Sequence, residues 1–537
     1  MSPSRTHLLA GTALFASAFA LSPAVAETPA DTLVIADAID DIISIDPAQS
    51  FEFSGQDTVN NIYETLVELD PETLTPIPGL ASEWSVSDDG MIFTFTMAEG
   101  RTFASGNPVR AQDAAFSLQR VVKLDQTPAF VIGQFGLTAE NVDANVRAVD
   151  DRTLEIQTDR PFAPTFLYNA LTAEAGSIVD METVMANAEG EDFGNAWLTN
   201  NSAGSGPYTL RGWTPNESVI LEANPNWFRA DELDVQRVFV RHIPEPATQR
   251  LLLEQGDIDM ARSLTPTDVE AIQAAPGIKI EENLRGEIYY LSGNQNNEIL
   301  AKPQVMEAIK YAIDYQGMAD TIVNGTNTVH QSFLPAGFLG SIEDKPYALD
   351  IEKAKALLTE AGYPDGFEIE ILIRNEQERI DISQAIQGSL AEAGITATIR
   401  SVTGAEALTI YRARNHELTL QTWGPDYPDP HTNASVFAAN EDNSEEAQLT
   451  GNLAWRNAYA AEETTQLVAD AVVEPEEATR RGMYEEMQKT SQASSPFVLL
   501  FQRTEQTAMG ETVEGFTAGG SVASAFYWPV SKGEAAQ

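Results

Sequence analysis

Cysteine is absent from all 537 residues, which excludes disulfides, thiolate metal sites and a lipid anchor on an N-terminal cysteine. Histidine is nearly absent. Of five, only His242, His330, His416 and His431 lie beyond the N-terminal segment, and no two are spaced as a metal pair on one helix. Cationic side chains are scarce: 32 Lys and Arg stand against 80 Asp and Glu, a net charge of −48. A surface of that sign repels nucleic acid and anionic membranes and favours a soluble monomer. Past Leu21 no stretch reaches the roughly 18 apolar residues that a membrane helix needs. GxSxG elbows, HExxH helices and cysteine nucleophiles are also missing. No catalytic residue, cofactor or metal is therefore expected, and the enzyme reading is the weaker one. Gly204–Gly206 lacks the remainder of any phosphate-binding loop, and the acids from Asp37 to Asp46 lack the spacing and turn glycine of a calcium loop.

What is present begins with a leader. Arg5 and His7 precede an apolar run from Leu8 to Leu21, and Ala24-Val25-Ala26 offers a small-x-small cleavage site before Glu27. Residues 1–26 thus read as a secretory signal, and the free periplasm as the destination. The 43% apolar content and the length predict a globular chain of two or three domains.

Periodicity outlines the elements. Thr32–Ala36 reads as a buried strand, Val59–Val67 as a short helix, and Asp88-Asp89-Gly90 as a hairpin turn between Trp84–Val86 and the Phe93/Phe95/Met97 strand. A helix carries Ala114, Ala115, Leu118, Val121 and Val122 on one face. Pro303 opens another, and Asp350 caps a third that stops before Gly362. Strand Phe367–Ile373, helix Gln377–Ala393 and strand Ile395–Val402 form a strand–helix–strand unit of parallel type. Pro496–Phe501 reads as a late strand that returns the chain to its first half.

The stretch with most chemistry is Leu418–Phe437. Leu418, Leu420 and Thr422 alternate as a strand ending at Trp423, and a loop stiffened by Pro425, Pro428 and Pro430 follows. It carries Asp426, Tyr427, Asp429 and His431, a set suited to a small amphipathic molecule: flat apolar walls plus an anion for an ammonium.

Several segments together resemble a known family. Leu80-Ala-Ser-Glu-Trp84, Ser87-Asp-Asp-Gly90, Glu99-Gly-Arg-Thr-Phe103, Gly106-Asn-Pro108 and Asp113–Leu118 follow one another in order. Gly204-Ser-Gly-Pro-Tyr208 and the Arg250–Asp259 helix and turn come later. This pattern is similar to that of the family 5 extracellular solute-binding proteins, the peptide- and nickel-binding components of ABC importers.

The resemblance implies an α/β, two-lobed periplasmic binding protein fold of the large cluster C type, with an extra subdomain in the first lobe. The expected division is 27–75 with 195–287 and 502–537 for the first lobe, 76–194 for the extra subdomain, and 288–501 for the second lobe. The implied function is capture of di- or oligopeptides by lobe closure and delivery to a membrane permease. The alternative is the same scaffold with a metal chelate, opine, polyamine or short glycan. The family pattern "W-x-x-D" falls on Trp423–Asp426, making Asp426 the implied amine anchor and Trp423 its wall. Arg374, with Arg379 in reserve, is the implied carboxylate partner. Tyr427, His431, Phe51, Glu52 and Phe53 complete the expected ligand-binding set.

Overall fold

The computed structural model describes residues 28–70, 73, 75–519 and 524–533; the leader lies outside them. Two long antiparallel strands, Ile278–Gly293 and Phe497–Gly510, form the spine. Their first-lobe halves join Met260–Ala261 and, beyond it, Thr32–Asp37, which pairs in parallel with Arg237–His242. Their second-lobe halves join Leu418–Trp423 and the parallel pair Phe367–Arg374 and Ile395–Val402. One mixed sheet therefore runs through both lobes among the described residues. Ile288, Tyr289, Tyr290 and Leu291 are buried on both faces, as a central strand requires.

The register between the long strands breaks between Leu284 and Ile288. A bulge there bends the spine where the lobes meet. A separate antiparallel sheet of four strands, from Ala81–Val86 to Thr153–Gln157, belongs to the extra subdomain of the first lobe. Its hairpin turns at Gly90, whose φ of +71° favours glycine, and Trp84 faces Phe95 across the ladder.

Most expected elements are where periodicity put them, the Asp350 cap included: its side chain accepts the Lys353 amide at 2.9 Å. The helix expected at Val59–Val67 is a correction. The helix is Phe53–Asn60, and Val67–Leu69 is a strand. The reason is tertiary. Gly206 and Tyr208 donate their amides to the Ile62 and Asn61 carbonyls at 2.9 and 3.0 Å. Gly204 allows that approach, since a Cβ there would lie 2.1 Å from the Ile62 oxygen. The glycines of the Gly204–Tyr208 motif thus serve close backbone packing.

The loop after Trp423 is wedged between the second lobe and the extra subdomain. Tyr427 is buried in the subdomain's core, where its ring meets Phe166 and its hydroxyl donates to Gln134 Oε1 at 3.0 Å. Asp429 takes two bonds from Arg480, at 2.7 and 2.8 Å, with both side chains fully buried. Arg480 also donates to Thr165 Oγ1 at 3.0 Å, and Asn169 Nδ2 to Asp429 at 3.3 Å, tying the pair to the subdomain helix Pro164–Ala170. Burial alone would raise the Asp429 carboxyl; Arg480 holds it below the usual carboxylate range.

A buried ion pair is costly to break by half. Arg480→Met strands the Asp429 carboxylate and should lower unfolding free energy by about 3–5 kcal/mol. Adding Asp429→Leu should recover most of that loss, both read from urea unfolding curves.

Candidate ligand-binding cleft

A cavity of about 390 Å³ opens where the lobes meet, within the size range of small-molecule sites. The spine supplies one wall through Arg285, Gly286 and Glu287 of the bulge, with Arg503 and Glu505 opposite. The first lobe adds Phe53, Asp57 and Arg262, and the second lobe adds Gly424 and Pro425.

Most of this charge is internally matched. Arg262 forms a close ion pair with Asp57 and donates to Glu505 at 2.8 and 2.9 Å. Arg285 reaches the other Glu505 oxygen through Nε at 3.2 Å, and its Nη1 is buried with no hydrogen-bond partner. Burial would push the Glu505 carboxyl up, but Arg262 and Arg285 hold it at about 2. Arg503 donates to the Tyr289 hydroxyl at 3.1 Å and lies 3.8 Å from Glu287 and 3.7 Å from Glu378.

Asp426 follows directly on Gly424 and Pro425. Its carboxylate has one side-chain partner, the Thr432 hydroxyl at 3.4 Å, and no cationic partner among the described residues. Burial raises its pKa to about 7, with Thr432 opposing only weakly. The loop holds an uncompensated acid in place because Tyr427 and Asp429 on one side and the Trp423 strand on the other are fixed. Trp423 itself is half-buried against the second lobe, its indole N–H without a partner.

Of the other expected residues, Phe53 lines the cavity and is 55% exposed. The Phe51 ring meets Phe130 edge-on at 5.8 Å, and the Glu52 carboxylate accepts the Phe51 amide at 3.2 Å. His431 does not line the cavity; its ring meets Phe166 edge-on at 4.9 Å, and burial lowers its pKa to about 4. Arg374 ends its strand beside Gly404, also outside the lining. Arg379 is buried, paired to Glu376 at 2.6 Å and donating to Thr422 Oγ1 at 3.0 Å, where it braces the Trp423 strand. The hinge arginines 262, 285 and 503 were not in the expected set. The one signal, and for two of the three, is charge alternating along two strands, at Arg285/Glu287 and Arg503/Glu505.

Residues 75–445 match the bacterial extracellular solute-binding proteins, family 5, in that family's middle portion. The chain belongs to this family. Similar proteins include the probable D,D-dipeptide-binding periplasmic protein DdpA of Escherichia coli (strain K12), 29% identical over 91% of this chain and 92% of the relative. The dipeptide-binding protein of the same strain is 26% identical over 69% and 71% of the two chains. Among solved structures, the periplasmic binding protein DppA of Helicobacter pylori, in complex with the peptide STSA, superposes with a TM-score of 0.76 at 24% identity. The match covers 94% of this chain and 98% of that one, and it establishes the two-lobed fold. The protein is thus a solute-binding protein with a cleft between its lobes.

The raised pKa carries a sign. Asp426 binds a proton more tightly folded than unfolded, so its contribution to stability is complete below its ordinary value near 4 and is lost as pH rises through about 7. Asp426→Asn should therefore stabilise the ligand-free protein by about 2–4 kcal/mol at pH 8 and by far less at pH 5, measured by urea unfolding at both values.

Proposed function

We propose that this protein is the periplasmic receptor of an ABC importer for short peptides, holding the ligand's free ammonium at Asp426 beside Trp423. The observation that carries the reading is the Asp426 carboxylate: one residue beyond the cavity-lining Pro425 and with no cation of its own among the described residues, it lacks the one partner an ammonium would supply. Closure around the ligand removes water and strengthens that pairing. Phe53 offers an exposed apolar surface for a side chain. The named cargo of the two Escherichia coli relatives, dipeptides, supports the same class.

The remaining parts of the reading follow from it. The protein binds and releases its cargo unchanged, works as a monomer after export through the signal at 1–26, and hands the peptide to an inner-membrane permease. Among the described residues no helix is long and apolar enough to cross a membrane.

A panel of di- and tripeptides tests this by thermal shift, since a ligand that binds only the folded state raises Tm with occupancy. Free-amine peptides should raise the melting temperature of the wild type. N-acetylated ones should not, and Asp426→Asn should abolish the response. An equal response of Asp426→Asn to free-amine peptides would remove the anchor. Affinity should also climb about tenfold per pH unit from pH 5 towards 7, as the carboxylate forms, and then level off.

A further inference from the structure

The charges on the cavity wall do not balance. Five carboxyl side chains line it against three guanidinium groups. Arg262 is enclosed by Asp57, Glu505 and Asp37, and Arg285 meets Glu505. Arg503 lies 3.8 Å from Glu287 and 3.7 Å from Glu378. Every arginine of the wall is thus engaged by acids. One lining acid, Asp41, is left with no ion pair among the described residues.

Asp41 is exposed, yet its position is set. Its Oδ2 accepts the Ser54 amide at 3.3 Å, at the start of the helix Phe53–Asn60, and the Ser54 hydroxyl donates to the Ala38 carbonyl at 3.1 Å. Those two bonds fasten the loop of Asp41 to the residue next to Phe53. Phe53 lines the same cavity, is 55% exposed, and reaches across to the second lobe: its Cζ lies 3.8 Å from the place a Cβ on Gly424 would take. A carboxylate near an open aromatic ring receives an organic cation, the acid by charge and the ring by its face. An alkyl stem that runs along Phe53 and ends in an ammonium or guanidinium suits both.

We propose that Asp41 sets the side-chain specificity of the cleft, selecting short peptides that carry lysine or arginine. This rests on the peptide reading above and deepens it by naming the class of peptide. The energetics have one sign. Closure takes water from Asp41, and an anion that loses water without gaining a cation costs free energy. A basic side chain offsets that cost, an apolar one leaves it standing, and an acidic one adds repulsion.

The test is a calorimetric titration of dipeptides in which alanine is joined, in either order, to lysine, norleucine or glutamate; norleucine has the stem of lysine without its ammonium. Each is titrated into the wild type, Asp41→Asn, Asp40→Asn and Glu287→Gln, after circular dichroism establishes that each variant is folded. Asparagine keeps an oxygen for the Ser54 amide, so Asp41→Asn removes the charge alone. In at least one of the two orders the wild type should bind the lysyl peptide about tenfold more tightly than the norleucyl one, the scale of one charge-assisted hydrogen bond, and the glutamyl peptide most weakly. Asp41→Asn should close the gap between lysine and norleucine by weakening the lysyl peptide. Asp40→Asn removes the same charge one residue away, from a side chain outside the lining, and should keep the gap. So should Glu287→Gln, since Glu287 already faces Arg503. A gap that survives Asp41→Asn overturns the proposal. So does a gap that closes equally in Asp40→Asn, which would make it an effect of net charge, or one that closes in Glu287→Gln. Lysyl and norleucyl peptides bound equally by the wild type would overturn the specificity while sparing the peptide reading. Binding of no peptide at all would remove that reading, and the proposal with it.

Discussion

The Asp429–Arg480 pair is the constraint on which the rest of the cleft depends. Both side chains are fully buried, and Arg480 reaches the subdomain helix through Thr165 as well as the loop through Asp429. With Tyr427 set into the subdomain's core and His431 against Phe166, three side chains of one short loop are held outside the cleft. The fourth, Asp426, stands one residue beyond the cavity-lining Pro425, with the Thr432 hydroxyl as its one side-chain partner and no cation among the described residues. A free loop would swing such an acid into water. A loop anchored on both flanks cannot, and its carboxylate stays partly desolvated until a cation arrives.

In the proposed reading the same loop joins cargo to closure. It leaves the second-lobe sheet at Trp423 and packs on the first lobe's subdomain within a few residues. Whatever settles Asp426 therefore also favours the contacts of Tyr427 and Asp429 across the lobes. On the opposite wall the two long strands bend at the Leu284–Ile288 break and turn charged side chains into the cleft. There Glu505 gathers Arg262 and Arg285, one fully matched and one with a nitrogen to spare.

Much of the scaffold was legible from residue order because local rules and tertiary packing agree there. The Asp350 cap, the Gly90 turn and the parallel pairing of Phe367–Arg374 with Ile395–Val402 each follow from a few adjacent residues. The displaced helix at Phe53–Asn60 was not legible, since hydrogen bonds from residues some 145 positions away decide it. The site divides in the same way. The motif Trp423–Asp426 marks an acid that the structure leaves without a cation. Tyr427, Asp429 and His431 look equally suited to a ligand in sequence, but burial assigns them to the lobe contact. Arg262, Arg285 and Arg503 carry no motif at all; only their place on the cavity wall singles them out.

The central claim is that Asp426 waits as an unmatched acid for a cationic ligand. Its carboxyl carbon can be followed by NMR in protein labelled with ¹³C-aspartate, with Asp426→Asn supplying the assignment. The account predicts a titration near pH 7 in the ligand-free protein. With a free-amine dipeptide at saturation, the signal should remain that of a carboxylate from pH 8 down to at least pH 5. A midpoint near 4 in both states would mean that Asp426 is an ordinary solvated acid, and would contradict the account.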